Sequence, residues 1–156
     1  MNILFENVNM NSHSGPNSFA IKLKDFLNKS GNNVGEITTP DFSPDIQLSF
    51  ISTFSRRKNV PVVLRLDGIY FNSAQSYHAL NSPIERSYRS ADGVIFQTDF
   101  NKNLIESWFG PHENSFIIRN GADLELADSI NPMDNKNLDM FENVWSCASS
   151  WRPHKR

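Results

Sequence analysis

A chain of 156 residues with 38% hydrophobic residues and 12 Phe is long enough for one full domain and would leave two equal halves marginal. A formal net charge of -2, an isoelectric point near 6.1 and a mean hydropathy of -0.46 exclude a global electrostatic pull toward nucleic acid and argue against insertion in a bilayer. No apolar run approaches the ~20 residues that span a membrane, and no basic flank precedes a long apolar N-terminal segment. The single Cys147 rules out an internal disulfide framework and a cysteine-based zinc site, so a cytoplasmic location is expected.

Ile3-Leu4-Phe5 reads as a short buried strand and gives way to Ser12-His13-Ser14-Gly15-Pro16-Asn17-Ser18. An amphipathic stretch follows, in which Phe19, Leu23, Phe26 and Leu27 fall at i, i+4, i+7 and i+8 and share one helix face. Ser14 or Asn17 suits its cap, Pro16 its first turn and Gly31 a left-handed C-terminal cap. Strand, glycine loop and helix together aim N-terminal amides at an anion. Residues 34–38 and 46–51 read as the second and third strands, and the basic stretch around Arg56 as a short helical turn. The fourth strand, 61–66, is the clearest, with Pro61-Val62-Val63-Leu64-Arg65-Leu66 halted by Asp67-Gly68.

Residues 69–82 form a long aromatic loop, and such loops in compact domains are often functional. Pro83 then opens a helix with Ile84, Tyr88 and Ala91 on one face. Val94-Ile95-Phe96 is a fifth strand followed by Gln97-Thr98. The next helix buries Leu104, Ile105, Trp108 and Phe109 and stops at Gly110-Pro111. Phe116-Ile117-Ile118 is a sixth strand closing with Arg119-Asn120-Gly121-Ala122-Asp123. Residues 124–143 are a polar linker, and a strand pattern resumes at 144–148 before the basic end. Strands alternating with helices or helix-like connections define an α/β chain, a Rossmann-like doubly wound parallel sheet with right-handed crossovers. Residues 1–123 form the first domain and 144–156 begin a second.

In such a sheet the loops at the strands' carboxyl ends share one edge. That places residues 12–18, 67–71 and 120–123, with Gln97 and Thr98, around one crevice. His13 beside the glycine loop is a candidate base or acceptor-binding group, His78 in the aromatic loop is a candidate of the same standing and His112 a weaker one, against the usual reading of a loop histidine as solvated. The four histidines share no metal-ligand spacing. No Gly-x-x-x-x-Gly-Lys-Ser/Thr occurs, no Gly-x-Gly-x-x-Gly follows the first strand, and there is no Gly-x-Ser-x-Gly elbow. These absences exclude P-loop NTPases and count against dinucleotide-dependent oxidoreductases and serine hydrolases. The basic runs Arg56-Arg57-Lys58 and 152–156 read as solvated faces.

The run from Ser14-Gly15-Pro16-Asn17-Ser18 through Leu23, Leu27 and Gly31 resembles the glycine-loop start of GT-B glycosyltransferases of the GT4-like, glycosyl transferase group 1 family. Val94-Ile95-Phe96-Gln97-Thr98 is similar to that family's strand ending in a serine-containing loop. Ile117-Ile118-Arg119-Asn120-Gly121-Ala122-Asp123 resembles its Asn-Gly-Val-Asp signature. The residues around Trp145 to Lys155 resemble the first strand and loop of the family's C-terminal domain, where an arginine and a lysine hold the donor diphosphate. Lys155 matches the lysine; the arginine position is Ser150, with Arg152 a displaced substitute.

The resemblance implies the N-terminal, acceptor-side half of a GT-B architecture, with residues 144–156 the start of a truncated donor-side domain. It implies a retaining, metal-independent transfer of sugar from a nucleotide-diphosphate sugar, which is a substrate and not a cofactor, to a carbohydrate or lipid-linked acceptor. A position peripheral to a membrane goes with a lipid acceptor, and nucleic acid is not a partner. Gly15, Lys155 and Arg152 would bind donor phosphate. Asp67 stands where relatives often carry a histidine near the reacting sugar. His13, Asn17, Gly68, Tyr70, Gln97, Asn120 and Gly121 would line the acceptor side. The expectation is a chain inactive alone, needing the missing C-terminal domain or a complementing chain; the alternative is a non-catalytic Rossmann-like binding module.

Overall fold

The computed structural model describes residues 1–12, 14–121, 124–130 and 143. His13, Cys147, Arg152, Lys155 and the expected strand at 144–148 lie outside the described residues. The chain divides into two units, Met1–Arg119 and Asn120–Arg156. In the first, β1 (Asn2–Glu6), α1 (Gly15–Lys29), β2 (Asn33–Glu36), β3 (Ile46–Phe50), β4 (Val62–Leu66), α2 (Tyr77–Ser90), β5 (Gly93–Phe96), α3 (Asp99–Phe109) and β6 (Ser115–Ile117) succeed one another. The six strands form one all-parallel sheet in the order β2-β1-β3-β4-β5-β6. This is a Rossmann-like doubly wound α/β arrangement. Strand order reverses direction between β1 and β3, the place where such sheets open a crevice.

Two-residue periodicity assigns the two faces of the sheet. Ile3 and Phe5 of β1, Val34 of β2 and Phe50 of β3 pack with Ala20 of α1, and Phe19, Leu23 and Leu27 close over them. Leu64 and Leu66 of β4 and Val94 and Phe96 of β5 pack with Ile84 and Tyr88 of α2 and with Ile105 and Phe109 of α3. Phe26, expected on the buried face of α1, is 65% exposed, because the core stripe runs through Ala20, Leu23 and Leu27 instead. Trp108 is likewise 40% exposed. The inward stripe of α3 is Ile105 and Phe109, and the Trp108 indole meets Tyr77 edge-on at 5.4 Å.

The expected helical turn around Arg56 is absent. The connection from β3 to β4 crosses the sheet without a helix, held by polar side chains that rise from β1 and β3. Gln47, fully buried, donates to the Ser55 carbonyl at 2.7 Å and accepts from the Arg57 amide at 3.0 Å. Glu6 Oε1 accepts from the Phe54 and Ser55 amides at 3.0 and 3.3 Å. These bonds supply partners for backbone groups that a helix would satisfy internally. Arg56 caps α2 from outside, donating to the Ser90 carbonyl and to Asp92, both at 2.6 Å.

Helix α2 begins at Tyr77, six residues before the expected Pro83, which falls inside it. The extra turn is kept despite the missing proline N–H because its Asn81 clamps the preceding loop: Asn81 accepts from the Tyr70 amide at 2.8 Å and donates to the Tyr70 carbonyl at 2.6 Å. The second unit contains α4 (Leu124–Ser129), a six-residue helix within the stretch read as a polar linker. Among the described residues no helix is long and apolar enough to cross a membrane.

Candidate functional site

The carboxyl ends of β4 and β5 are joined by one carboxylate. Arg65 and Asp67 are two residues apart at the end of β4, so the pleat carries both toward the face that α1 covers. Arg65 is only 4% exposed. Its guanidinium lies 3.8 Å from the centroid of the Phe19 ring in α1 and forms an ion pair with Asp67 Oδ1. Gln97, just past β5, donates to the same oxygen. A third tie runs from the Asn101 side chain of α3 to the Asp67 carbonyl at 3.1 Å. Burial pushes the Arg65 pKa down, and the charge and hydrogen bond of Asp67 push it back up; the stack on Phe19 adds a cation–π attraction in a place with little water.

With Oδ1 bound twice, Oδ2 is the carboxylate oxygen without a protein donor among the described residues. Asp67 lines a cavity of about 240 Å³ with Ile51, Gly68, Ile69, Tyr70 and Ile84. The volume suits a group of monosaccharide size or smaller, since full drug-sized sites begin at roughly 300 Å³. Gly68 has a φ of +153°, where a side chain would be strained, so the turn that carries the chain from Asp67 to Tyr70 needs glycine. The Asn81 clamp fixes that turn from behind.

Beside this cavity lies the switch point. Asn7, with φ of 60°, donates to the Phe50 and Ser52 carbonyls at 2.6 and 3.2 Å and so ties the end of β1 to the end of β3. Ile51 is held at φ of 68°. For a β-branched residue that conformation costs on the order of 1–3 kcal/mol, and backbone of this kind concentrates at binding sites.

The glycine loop reaches the same region through α1. Gly15 is its first residue, and Phe19, one turn on, is the ring beneath Arg65. Ser14 occupies the N-cap position without a side-chain capping bond, and the first turn has no acidic residue. Asn17 does not cap the helix; its Oδ1 accepts from the Asn9 amide at 3.0 Å. A Cβ placed on Gly15 would meet nothing within 4 Å. Among the described residues the helix start therefore keeps its amides free of a capping bond from Ser14, as an anion site requires.

Of the residues singled out from sequence, Asp67, Gly68, Tyr70 and Gln97 are thus gathered at one edge, and Gly15 and Asn17 adjoin them through α1. Asn120 and Gly121 are exposed and belong to the second unit. Arg65, Asn81, Asn101, Asn7 and Ile51 are the site residues that motif reading passed over. Among the described residues no group of three or more His, Cys, Asp or Glu could hold a metal ion. No family model, curated protein or solved structure matches the chain.

Proposed function

We propose that this chain is the acceptor-side half of a GT-B, GT4-like glycosyltransferase, which moves a sugar from a nucleotide-diphosphate donor to a carbohydrate or lipid-linked acceptor. The observation that carries the reading is the Asp67 carboxylate, held by Arg65 and Gln97, with no donor to Oδ2 among the described residues, beside a cavity of about 240 Å³. A carboxylate fixed in this way accepts a hydrogen bond from the hydroxyl of an acceptor sugar without first reorganising. The uncapped start of α1 supports the same reading, because the leaving diphosphate needs amides or cations. In this reading Lys155 and Arg152 bring positive charge from the donor side, the transfer is retaining and uses no metal, and a second α/β domain completes the site.

The test is sugar transfer from nucleotide-diphosphate donors, measured for the 156-residue chain alone and for the same chain joined to a second α/β domain. The expected result is no turnover alone, turnover in the joined protein, and a loss of about 10²-fold or more on Asp67→Asn. Transfer by the isolated chain at a rate unchanged by substituting Gly15 and Lys155 would overturn the proposal.

A further inference from the structure

A second hollow lies apart from the Asp67 cavity and shares no lining residue with it. It has a volume of about 220 Å³ and is lined by Thr53, Phe54, Arg56, Pro83, Arg86, Ser87 and Ser90. Its polar complement is unlike that of a surface dimple. Arg86 is exposed on α2 and makes no ion pair or hydrogen bond among the described residues. Arg56 is held in place by the Ser90 carbonyl and Asp92 at 2.6 Å each, which leaves its remaining N–H groups uncommitted. The Thr53 hydroxyl oxygen is buried and has no hydrogen-bond partner among the described residues, although the Thr53 amide is fixed on Ser87 Oγ at 2.8 Å. A buried hydroxyl left without a partner is costly, and a ligand at the site removes that cost.

We propose that this hollow binds a phosphate group, as the free dianion or as the monoester of a small molecule. Two guanidinium forks and one hydroxyl are the donor set that a tetrahedral oxyanion takes, with Arg suited to two-point contact. Two neighbouring carboxylates are already engaged: Asp92 is bound by Arg56 and the Val62 amide, and Glu85 by Arg89. Glu6 Oε1 is bound by the amides of Phe54 and Ser55, while its Oε2 has no hydrogen-bond partner among the described residues. Arg56 on the Ser90 carbonyl also offsets the negative end of α2. Thr53 stands two residues beyond Ile51, and Pro83 and Ser87 flank Ile84 on α2, so the hollow and the Asp67 cavity are built on the same two segments. A phosphate bound here would stiffen the wall they share. The inference stands independently of glycosyl transfer.

The experiment is a titration of the isotopically labelled chain with inorganic phosphate and, in a second arm, a hexose 1-phosphate, followed through backbone amide shifts. Saturating shifts are expected at Thr53, Ser87 and Ser90, with binding in the millimolar range, and tighter binding in the second arm would identify a phosphorylated metabolite as the ligand rather than free phosphate. Arg86→Met, exposed and therefore harmless to folding, should weaken binding about tenfold, and Thr53→Val should weaken it without unfolding the chain. Absence of shifts at about 10 mM phosphate, shifts confined to the start of α1 at Ser14 to Ser18, or binding unchanged in Arg86→Met would each overturn the assignment.

Discussion

The pairing of Arg65 with Asp67 makes an asymmetric prediction about stability. Arg65 has a side chain 5% exposed, whereas that of Asp67 is 26% exposed. Replacing Asp67 by Ala takes the counter-charge from a buried guanidinium, which keeps its stack on the Phe19 ring at 3.8 Å. Breaking a buried pair in this way costs about 3–5 kcal/mol, and the partial exposure of Asp67 favours the lower end. Replacing Arg65 by Met keeps the stack on Phe19 and leaves a carboxylate that is a quarter exposed and still bound by Gln97; the expected cost is under about 1 kcal/mol. In the double variant no buried charge remains, so it should resemble Arg65→Met, giving a coupling of about 3 kcal/mol, the size of the Asp67→Ala effect itself. Urea unfolding followed by tryptophan fluorescence reads this as a midpoint shift of about 1–2 M for Asp67→Ala and a few tenths for the other two. If Arg65→Met were as damaging as Asp67→Ala, or the two effects simply added, Asp67 would not be what keeps Arg65 buried, and the orientation argued for its Oδ2 would fail with it.

Three further outcomes follow from other parts of the fold. Tyr88 is 2% exposed, donates to the Gly110 carbonyl at 2.8 Å, and has its pKa pushed up from 10.0 to about 12, first by burial and then by Glu106. The unfolded chain therefore releases this proton first, and the stability Tyr88 contributes is complete below pH 10 and lost between pH 10 and about 12, by at most ~1.4 kcal/mol per pH unit; urea midpoints across this range should fall less steeply in Tyr88→Phe. Gln47→Leu removes the acceptor of the Arg57 amide and the donor to Ser55, so trypsin should cut at Arg56, Arg57 or Lys58 at least several-fold faster under native conditions, and an unchanged rate would show that the β3–β4 connection is held by something else. A Cβ on Gly35 would come within 2.7 Å of the Phe42 ring; Gly35→Ala should cost about 1–3 kcal/mol by thermal or urea unfolding, and Phe42→Leu in the same chain should recover most of it.

The strands were legible because a buried parallel sheet writes itself as short apolar runs between turn residues; Gly93–Phe96 follows that pattern without interruption, and Val62–Leu66 follows it with one charge inside. What stayed hidden was wherever a polar side chain does the work of a missing element. Gln47 and Glu6 sit in β3 and β1 like interruptions of the apolar pattern, yet they are buried because they carry the β3–β4 connection that a helix would otherwise make. Asn81 likewise reads as a loop residue before Pro83, and only its two bonds to Tyr70 explain why the helix starts a turn and a half earlier. Arg65 could have been found from sequence. A single charge inside Val62-Val63-Leu64-Arg65-Leu66 must have a partner, and strand periodicity puts the nearest acid, Asp67, on its own face. Applied to that strand, the rule turns Asp67 from a turn former into a carboxylate held from below. The same rule separates the two ends of the site: the Asp67 side is held by Arg65 and Gln97, while the N-cap Ser14 of α1 makes no side-chain capping bond among the described residues.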